Sequence, residues 1–177
     1  MAIPAKYLEK WTQSPNDAPA IKAHTTIRDW LKRDESRLDA GKFDDYLQGS
    51  YVNDTSVEGD RDVDIIVELT SAFRSNKLSL PSDLLAMFEE DHSTATYTLD
   101  EFREEVLAEL NDGFGKDRVK PGKNAIKVLG IPGKSLDADV VVCIQYRHYT
   151  KYETHYADTY YRGITYIRQG DGHQVIN

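Results

Sequence analysis

Apolar residues recur along the chain with two different spacings, which separate the expected helices from the expected strands. Between residues 18 and 34 they return every three or four positions, as in a helix with one apolar face. Residues 61–69 and 136–145 are instead rich in Val, Ile and Leu, and β-branched side chains favour an extended backbone. We therefore expect helices packed against a sheet.

Local signals predict further elements. Thr98 and Glu101 form a capping box, which indicates the start of a helix, and Gly113 suits a left-handed cap at its end. The polar stretch 71–80 is expected to be a mobile connection. The other expected elements are strands at 43–48, 118–120 and 125–129, helices at 4–11 and from residue 82, and a hairpin that joins 162–168 to 173–176.

Two carboxylates lie at the start of the predicted strand 61–69. Asp62 and Asp64 are separated by one residue, and strand side chains alternate, so both are expected on one face of the sheet. Ionised carboxylates this close repel each other unless a cation is present. Mg²⁺ suits such a place because it takes oxygen ligands and completes its shell with water and substrate phosphates.

A Gly-Ser pair precedes these acids. Gly49 and Ser50 lie where the strand 43–48 could turn into a short helix, and N–H groups at a helix start attract phosphate. Most such pairs are plain turns, so the spacing to Asp62 gives this one its weight. Gln48 is a further phosphate candidate, with an edge-strand amide as the alternative. A phosphate cradle beside metal-binding acids is the equipment for phosphoryl or nucleotidyl transfer.

These residues together resemble the signature of the DNA polymerase β-like nucleotidyltransferases. The fuller pattern, Gln48-Gly49-Ser50-Tyr51 with Thr55 before 62–69, is similar to the bacterial cyclic GMP-AMP synthase-like enzymes. These are the CD-NTases, relatives of oligoadenylate synthase that make cyclic di- and trinucleotide signals in anti-phage defence. The resemblance covers roughly residues 18–177, and Gly163-Ile164 with 175–177 matches the segment that closes the catalytic lobe. It implies an α+β fold: a polymerase β-like nucleotidyltransferase core whose mixed central sheet has helices packed on it.

The resemblance also implies a third carboxylate on a later strand. Asp139 interrupts an apolar run, and a buried carboxylate there needs a partner. It is favoured over Asp137 because the family's third acid is directly followed by small apolar strand residues. The implied catalytic and metal-binding set is Asp62, Asp64 and Asp139, holding two Mg²⁺ ions with Mn²⁺ as a substitute, and the implied nucleotide contacts are Gln48, Gly49 and Ser50.

In the resembling family a second, helical lobe follows the catalytic lobe. This chain ends at Asn177, about where that lobe would begin. We therefore expect residues 1–177 to form one nucleotidyltransferase catalytic domain without the helical lobe, as either an isolated core or a compact variant. The expected partners are NTP substrates, with regulatory proteins as a further expectation.

Composition excludes several other classes of function. The net charge of -8 argues against stable binding of nucleic acid, which depends on neutralising many phosphates with Lys and Arg. No apolar run approaches the ~20 residues of a membrane helix, and the first residues lack the apolar core of a secretory signal. The one cysteine, Cys143, excludes an internal disulfide and suits a reducing cytoplasm.

The leading interpretation is an enzyme that transfers a nucleotidyl group from an NTP to a ribose hydroxyl and closes a cyclic oligonucleotide. One alternative is a nucleotidyltransferase whose acceptor is an antibiotic, a protein side chain or a tRNA end. Another is a non-catalytic nucleotide-binding module. Lys123, Lys127 and Arg147 are candidates for neutralising phosphate, although each is equally well explained as a solvated surface cation.

Overall fold

The computed structural model describes residues 18–48, 62–132, 135–152 and 160–176. The predicted helix at 4–11 and the Gly49-Ser50 pair lie outside these residues. The elements in the described part are α1 (Ala18–Leu31), β1 (Phe43–Gln48), β2 (Val63–Asn76), α2 (Ser82–Asp91), α3 (Leu99–Phe114), β3 (Val119–Pro121), β4 (Ile126–Val128), β5 (Ala138–Tyr149), β6 (Tyr160–Ile167) and β7 (Gln174–Ile176).

The described strands form one mixed sheet with the order β1-β2-β5-β4-β3. β2 and β5 run parallel at its centre, whereas β1 and β4 pair antiparallel with them. β6 pairs with the second half of β5, and β7 pairs with β6 as the predicted hairpin. The expected α+β architecture with a mixed central sheet is confirmed.

α1 and α3 pack on one face of this sheet. Every second residue of β2 from Val63 to Leu69 is buried beneath these helices in the main core. Strand side chains alternate, so the β2 residues between these buried ones point to the other face of the sheet. We call it the carboxylate face and define it by Asp64, Ile66 and Glu68 of β2. The core contacts come from Ala20, Ala23, Ile27 and Leu31 of α1, Phe102, Val106 and Leu110 of α3, and Val63, Ile65, Val67 and Leu69 of β2.

α3 begins as predicted but ends differently. The Thr98 side chain accepts a hydrogen bond from the Glu101 N–H, and the Glu101 carboxylate accepts one from the Thr98 N–H, so the capping box is confirmed. The prediction of a left-handed cap at Gly113 is wrong, because the helix continues to Phe114 and Gly115 adopts the positive φ of 85°. Gly113 instead lies against the Trp30 ring, where an added Cβ would come within 2.4 Å of it.

The prediction of a mobile connection at 71–80 is also wrong. β2 continues to Asn76, with a register shift against β5 between Leu69 and Phe73. The extension is held because its backbone still pairs with β5 and because Phe73 packs beside a second cluster of buried rings. That cluster consists of Phe88, Tyr149 and Tyr152.

The helices of the described residues are too short or too polar to serve as a membrane span.

Candidate active site

One row of polar side chains crosses the sheet on the carboxylate face. The strand register places Gln48 of β1 opposite Asp64 of β2, Asp64 opposite Asp139 of β5, and Asp139 opposite Lys127 of β4. Neighbouring strands lie about 4.8 Å apart, and residues directly opposite share a face. The row therefore brings two carboxylates from sequence-distant strands side by side, with an amide at one end and an ammonium at the other.

The core holds each charged member of the row on this face. If one of these side chains pointed to the other face, the apolar residues on either side of it would be exposed. Burial of those apolar residues therefore fixes the orientation of the charged side chain. The apolar residues around Asp139 in the sequence suggested a buried carboxylate. In the structure Asp139 is only half-buried. The flanking residues, all buried, are Val63 and Ile65 beside Asp64, Ala138 and Val140 beside Asp139, and Ile126 and Val128 beside Lys127.

Lys127 connects the acids that precede the two central strands. Its Nζ donates a hydrogen bond of 2.7 Å to Asp62 Oδ2 and lies 3.7 Å from Asp137 Oδ2. The Lys127 and Asp62 side chains are 37% and 42% exposed, so water and ions reach both. The hydrogen bond to Asp62 raises the pKa of the Lys127 ammonium. The structure thus places Asp62 at the same corner of the sheet as Asp64 and Asp139.

Negative charge accumulates in the middle of the row. Burial raises the pKa of Asp64, and the charges of Asp139 and Asp62 raise it further. Burial also raises the pKa of Asp139, as does the charge of Asp62, while Lys127 acts in the opposite direction. Both carboxylates are therefore stabilised by any group that brings positive charge.

The donor set suits magnesium. Carboxylate oxygens are the ligands that Mg²⁺ takes from proteins, and a cation relieves the repulsion seen at Asp64 and Asp139. Within the described residues, no three acidic, His or Cys side chains already form a cage. The Asp62 carboxylate is hydrogen-bonded to Lys127 instead. Mg²⁺ usually keeps several waters and binds substrate phosphates, so a partial protein shell agrees with its chemistry.

The Asp137 carboxylate is engaged in the turn between β4 and β5. Its Oδ1 accepts a hydrogen bond of 2.7 Å from the Gly130 N–H. Its backbone oxygen accepts another, of 2.9 Å, from the Val63 N–H. These bonds join the turn to the start of β2, so Asp137 helps to hold the two central strands in register.

The other predicted site residues are distributed unevenly. Gln48 lies in the row, whereas Gly49 and Ser50, the predicted phosphate contacts, fall outside the described residues. Lys127 is at the acids, but Arg147 lies in the second half of β5, where its guanidinium stacks 3.8 Å from the centre of the Phe73 ring. Arg147 therefore packs beside the second cluster of buried rings and is not part of this site.

A buried ionic network on the same face was not predicted from the sequence. It is centred on Glu68, whose carboxylate has no exposed surface. Arg162 Nη2 donates to both of its oxygens at 2.9 and 3.1 Å, and the Tyr46 hydroxyl donates at 3.0 Å. Its partner Arg162 is 94 residues away in the sequence. The sequence signal that could have indicated this network is an isolated Glu at the end of an apolar run.

An open cavity of about 750 Å³ lies between β1 and β6. Tyr46 and Gln48 line it from β1, and Arg162, Gly163 and Ile164 line it from β6. Because Gln48 is also opposite Asp64, the cavity begins beside the carboxylates. Its volume is within the usual range of small-molecule sites, and the cavity is open to solvent.

Curated proteins match the whole chain, although no protein-family model does. The chain is 35% identical over 177 residues to the cyclic UMP-AMP synthase of Rhodothermus marinus, which covers 100% of this chain and 58% of that protein. It is 31% identical over 179 residues to the cyclic nucleotide synthase CdnE01 of Staphylococcus haemolyticus, covering 100% of this chain and 59% of the relative. The chain thus spans less than two thirds of the length of these relatives.

Solved structures match the same extent of the chain. The structure of Rhodothermus marinus CdnE c-UMP-AMP synthase with Apcpp and Upnpp has a TM-score of 0.81 at 35% identity and covers 99% of this chain and 56% of its own. A CdnE cyclic dinucleotide synthase from Elizabethkingia meningoseptica, at 21% identity, shares the fold with a TM-score of 0.67. The predicted resemblance is confirmed: over its whole length this chain is a homologue of the CdnE cyclic nucleotide synthases and has the CD-NTase nucleotidyltransferase fold.

Proposed function

We propose that this chain carries the catalytic lobe of a Mg²⁺-dependent nucleotidyltransferase that joins NTPs into a cyclic di- or trinucleotide. The observation that carries the proposal is the pairing of Asp64 with Asp139 across β2 and β5 on the carboxylate face. The relatives that are 31–35% identical are themselves named cyclic nucleotide synthases. The anti-phage role that the resemblance implies stays a prediction, as do the regulatory protein partners and the cytoplasmic location suggested by the single cysteine.

Asp62, Asp64 and Asp139 are the proposed catalytic acids and metal ligands. Two bound Mg²⁺ ions would supply the metal chemistry, one by stabilising the triphosphate charge and the other by lowering the pKa of the attacking ribose hydroxyl. The in-register strands hold Asp64 and Asp139 together, and Asp62 adds a carboxylate from the segment before β2. We prefer Asp139 to Asp137 because one Asp137 oxygen is already bonded to the Gly130 N–H.

The nucleotide would lie along the row and into the cavity between β1 and β6. Gln48 supports this placement because it both neighbours Asp64 and lines the cavity. Gly49 and Ser50 follow it directly in the sequence, so we assign the triphosphate to their amides and to the Ser50 hydroxyl. The nucleoside would then occupy the cavity, whose volume suits a ligand of that size.

The acceptor is best assigned as a second nucleotide. Transfer to an antibiotic, protein or tRNA needs the same acids, so the site alone does not select the acceptor. The names of the relatives favour cyclic synthesis. A non-catalytic module is disfavoured because all three acids are present, and two of them are directly paired.

The test is to incubate the protein with Mg²⁺ and labelled NTPs without any other acceptor. We expect a phosphatase-resistant labelled product, and Mg²⁺-dependent NTP binding as a second readout that does not require turnover. Both should be lost in Asp64→Asn. NTP binding that is indifferent to Mg²⁺ and to Asp64→Asn would contradict the proposal, and label appearing only when an antibiotic or tRNA is added would assign the other acceptor.

A further inference from the structure

We propose that Lys127 is a built-in competitor of the divalent cation: its ammonium neutralises Asp62 when no metal is bound and turns to Asp137 when a metal takes Asp62. The inference rests on the proposed metal-binding role of Asp62, Asp64 and Asp139. It adds a positioning residue to that site and predicts that the chain binds metal less tightly than its acids alone would allow.

The contacts of Lys127 support two positions for its ammonium. Nζ is 2.7 Å from Asp62 Oδ2 and 3.7 Å from Asp137 Oδ2, so a small movement exchanges one carboxylate for the other. The strand register also places Lys127 opposite Asp139. One positive charge therefore lies among three carboxylates that precede or begin the two central strands.

The backbone of Lys127 is fixed while the end of its side chain is free to move. Ile126 and Val128 are both buried in the core and hold β4 in place. The Lys127 side chain is 37% exposed, and a lysine stem is flexible and carries a compact charge without a fixed hydrogen-bond geometry. An ammonium of this kind can leave Asp62 without disturbing the sheet.

A different role for Lys127 would be phosphate binding alone. In that case its removal would weaken NTP binding and leave the affinity for free metal unchanged. Competition predicts the opposite result in the absence of nucleotide, because loss of the ammonium leaves Asp62 without its cation. The decisive measurement is therefore made with metal only.

The experiment is a titration of the full chain with Mn²⁺, followed by electron paramagnetic resonance, without nucleotide. We expect Lys127→Gln to tighten Mn²⁺ binding by roughly three- to tenfold, the effect of one unit charge at a solvent-accessible contact. Lys127→Arg, which keeps the charge, should stay at or below wild-type affinity. Lys120→Gln is the matched control, because Lys120 is exposed and lies opposite Lys127 on β3, one strand further from the acids.

Thermal unfolding supplies a second readout. In EDTA, Lys127→Gln should unfold at a lower temperature than wild type, and Mg²⁺ should raise its melting temperature by more. Equal or weaker Mn²⁺ binding in Lys127→Gln, or the same gain in Lys120→Gln, would overturn the inference. Asp64→Asn separates the two proposals. If it abolishes Mn²⁺ binding while Lys127→Gln changes nothing, only the inference is wrong; if it leaves binding intact, the metal centre is wrong as well.

Discussion

Arg162 of β6 holds the fully buried carboxylate of Glu68 of β2, with Nη2 2.9 and 3.1 Å from its two oxygens. A buried charge is costly unless it is paired, and loss of one partner leaves the other uncompensated. Arg162 also lines the cavity beside the carboxylate face, with 56% of its side chain exposed. The ion pair therefore stabilises the contact between β2 and β6, and its Arg162 member also forms part of the wall of the proposed nucleotide site.

We expect Arg162→Met to lower the free energy of unfolding by about 2–3 kcal/mol, less than for a fully enclosed pair because water can reach the position. Urea unfolding of the two proteins measures this difference. Arg168→Met is the control, since Arg168 pairs with Asp171 at the surface and its removal should change stability little. Equal effects of the two substitutions would contradict the structural role assigned to Glu68.

We expect Asp139→Ala to lower product formation by more than about a hundredfold, because it removes one of the two paired carboxylates. Asp137→Ala should lower it by less than about tenfold and act mainly on stability, through loss of the bond from the Gly130 N–H. Rates and circular dichroism of both variants make the comparison. The reverse order of activities would assign the third acid to Asp137.

We expect Gly113→Ala to destabilise the protein by about 1–3 kcal/mol, although alanine is the better helix former. The new Cβ would meet the Trp30 ring at 2.4 Å. The ring cannot easily move aside, because its Nε1 donates a 2.7 Å hydrogen bond to the Glu109 backbone oxygen. In a Trp30→Leu background the same substitution should be neutral or stabilising, and a double-mutant cycle from denaturant unfolding reports the coupling. Additive effects would refute the contact.

We expect the surface pair of Arg168 and Asp171, at the turn before β7, to make a small contribution to the stability of the hairpin that depends on pH. The hydrogen bond from Arg168, with one from the His173 N–H, lowers the pKa of Asp171 from 3.8 to about 2. A depressed carboxyl pKa contributes stability that is complete above 3.8 and is lost as the pH falls towards 2. Unfolding of wild type and Asp171→Asn should therefore differ most at neutral pH and converge in acid. A constant difference across this window would rule the pair out.

Local patterns were sufficient to predict elements whose determinants lie within a few residues. The start of α3 follows from the contact between Thr98 and Glu101, and the hairpin of β6 and β7 follows from its turn residues. The extension of β2 to Asn76 could not be predicted in this way, because β5 provides its backbone partners. Gly113 was misassigned for the same reason: the ring of Trp30, on another helix, explains the glycine.

The acids of the proposed site were predictable from their spacing and from the family resemblance, but their surroundings were not. That Lys127 is opposite Asp139 depends on the register of β4 with β5. That Glu68 has a cationic partner depends on the pairing of β6 with β5, which brings the Arg162 side chain within reach of β2. A single sequence contains no direct signal for such pairings, since each candidate cation is equally compatible with a solvated surface position.

The register of the two central strands makes the proposed chemistry conditional on correct assembly. A slip of β5 by one residue against β2 would place Ala138 or Val140 next to Asp64 and turn Asp139 towards the helices. Such a molecule could remain compact and rich in sheet and yet be catalytically silent. For this chain, turnover would therefore measure the fraction of molecules with correctly aligned strands, which bulk spectroscopy of secondary structure does not distinguish.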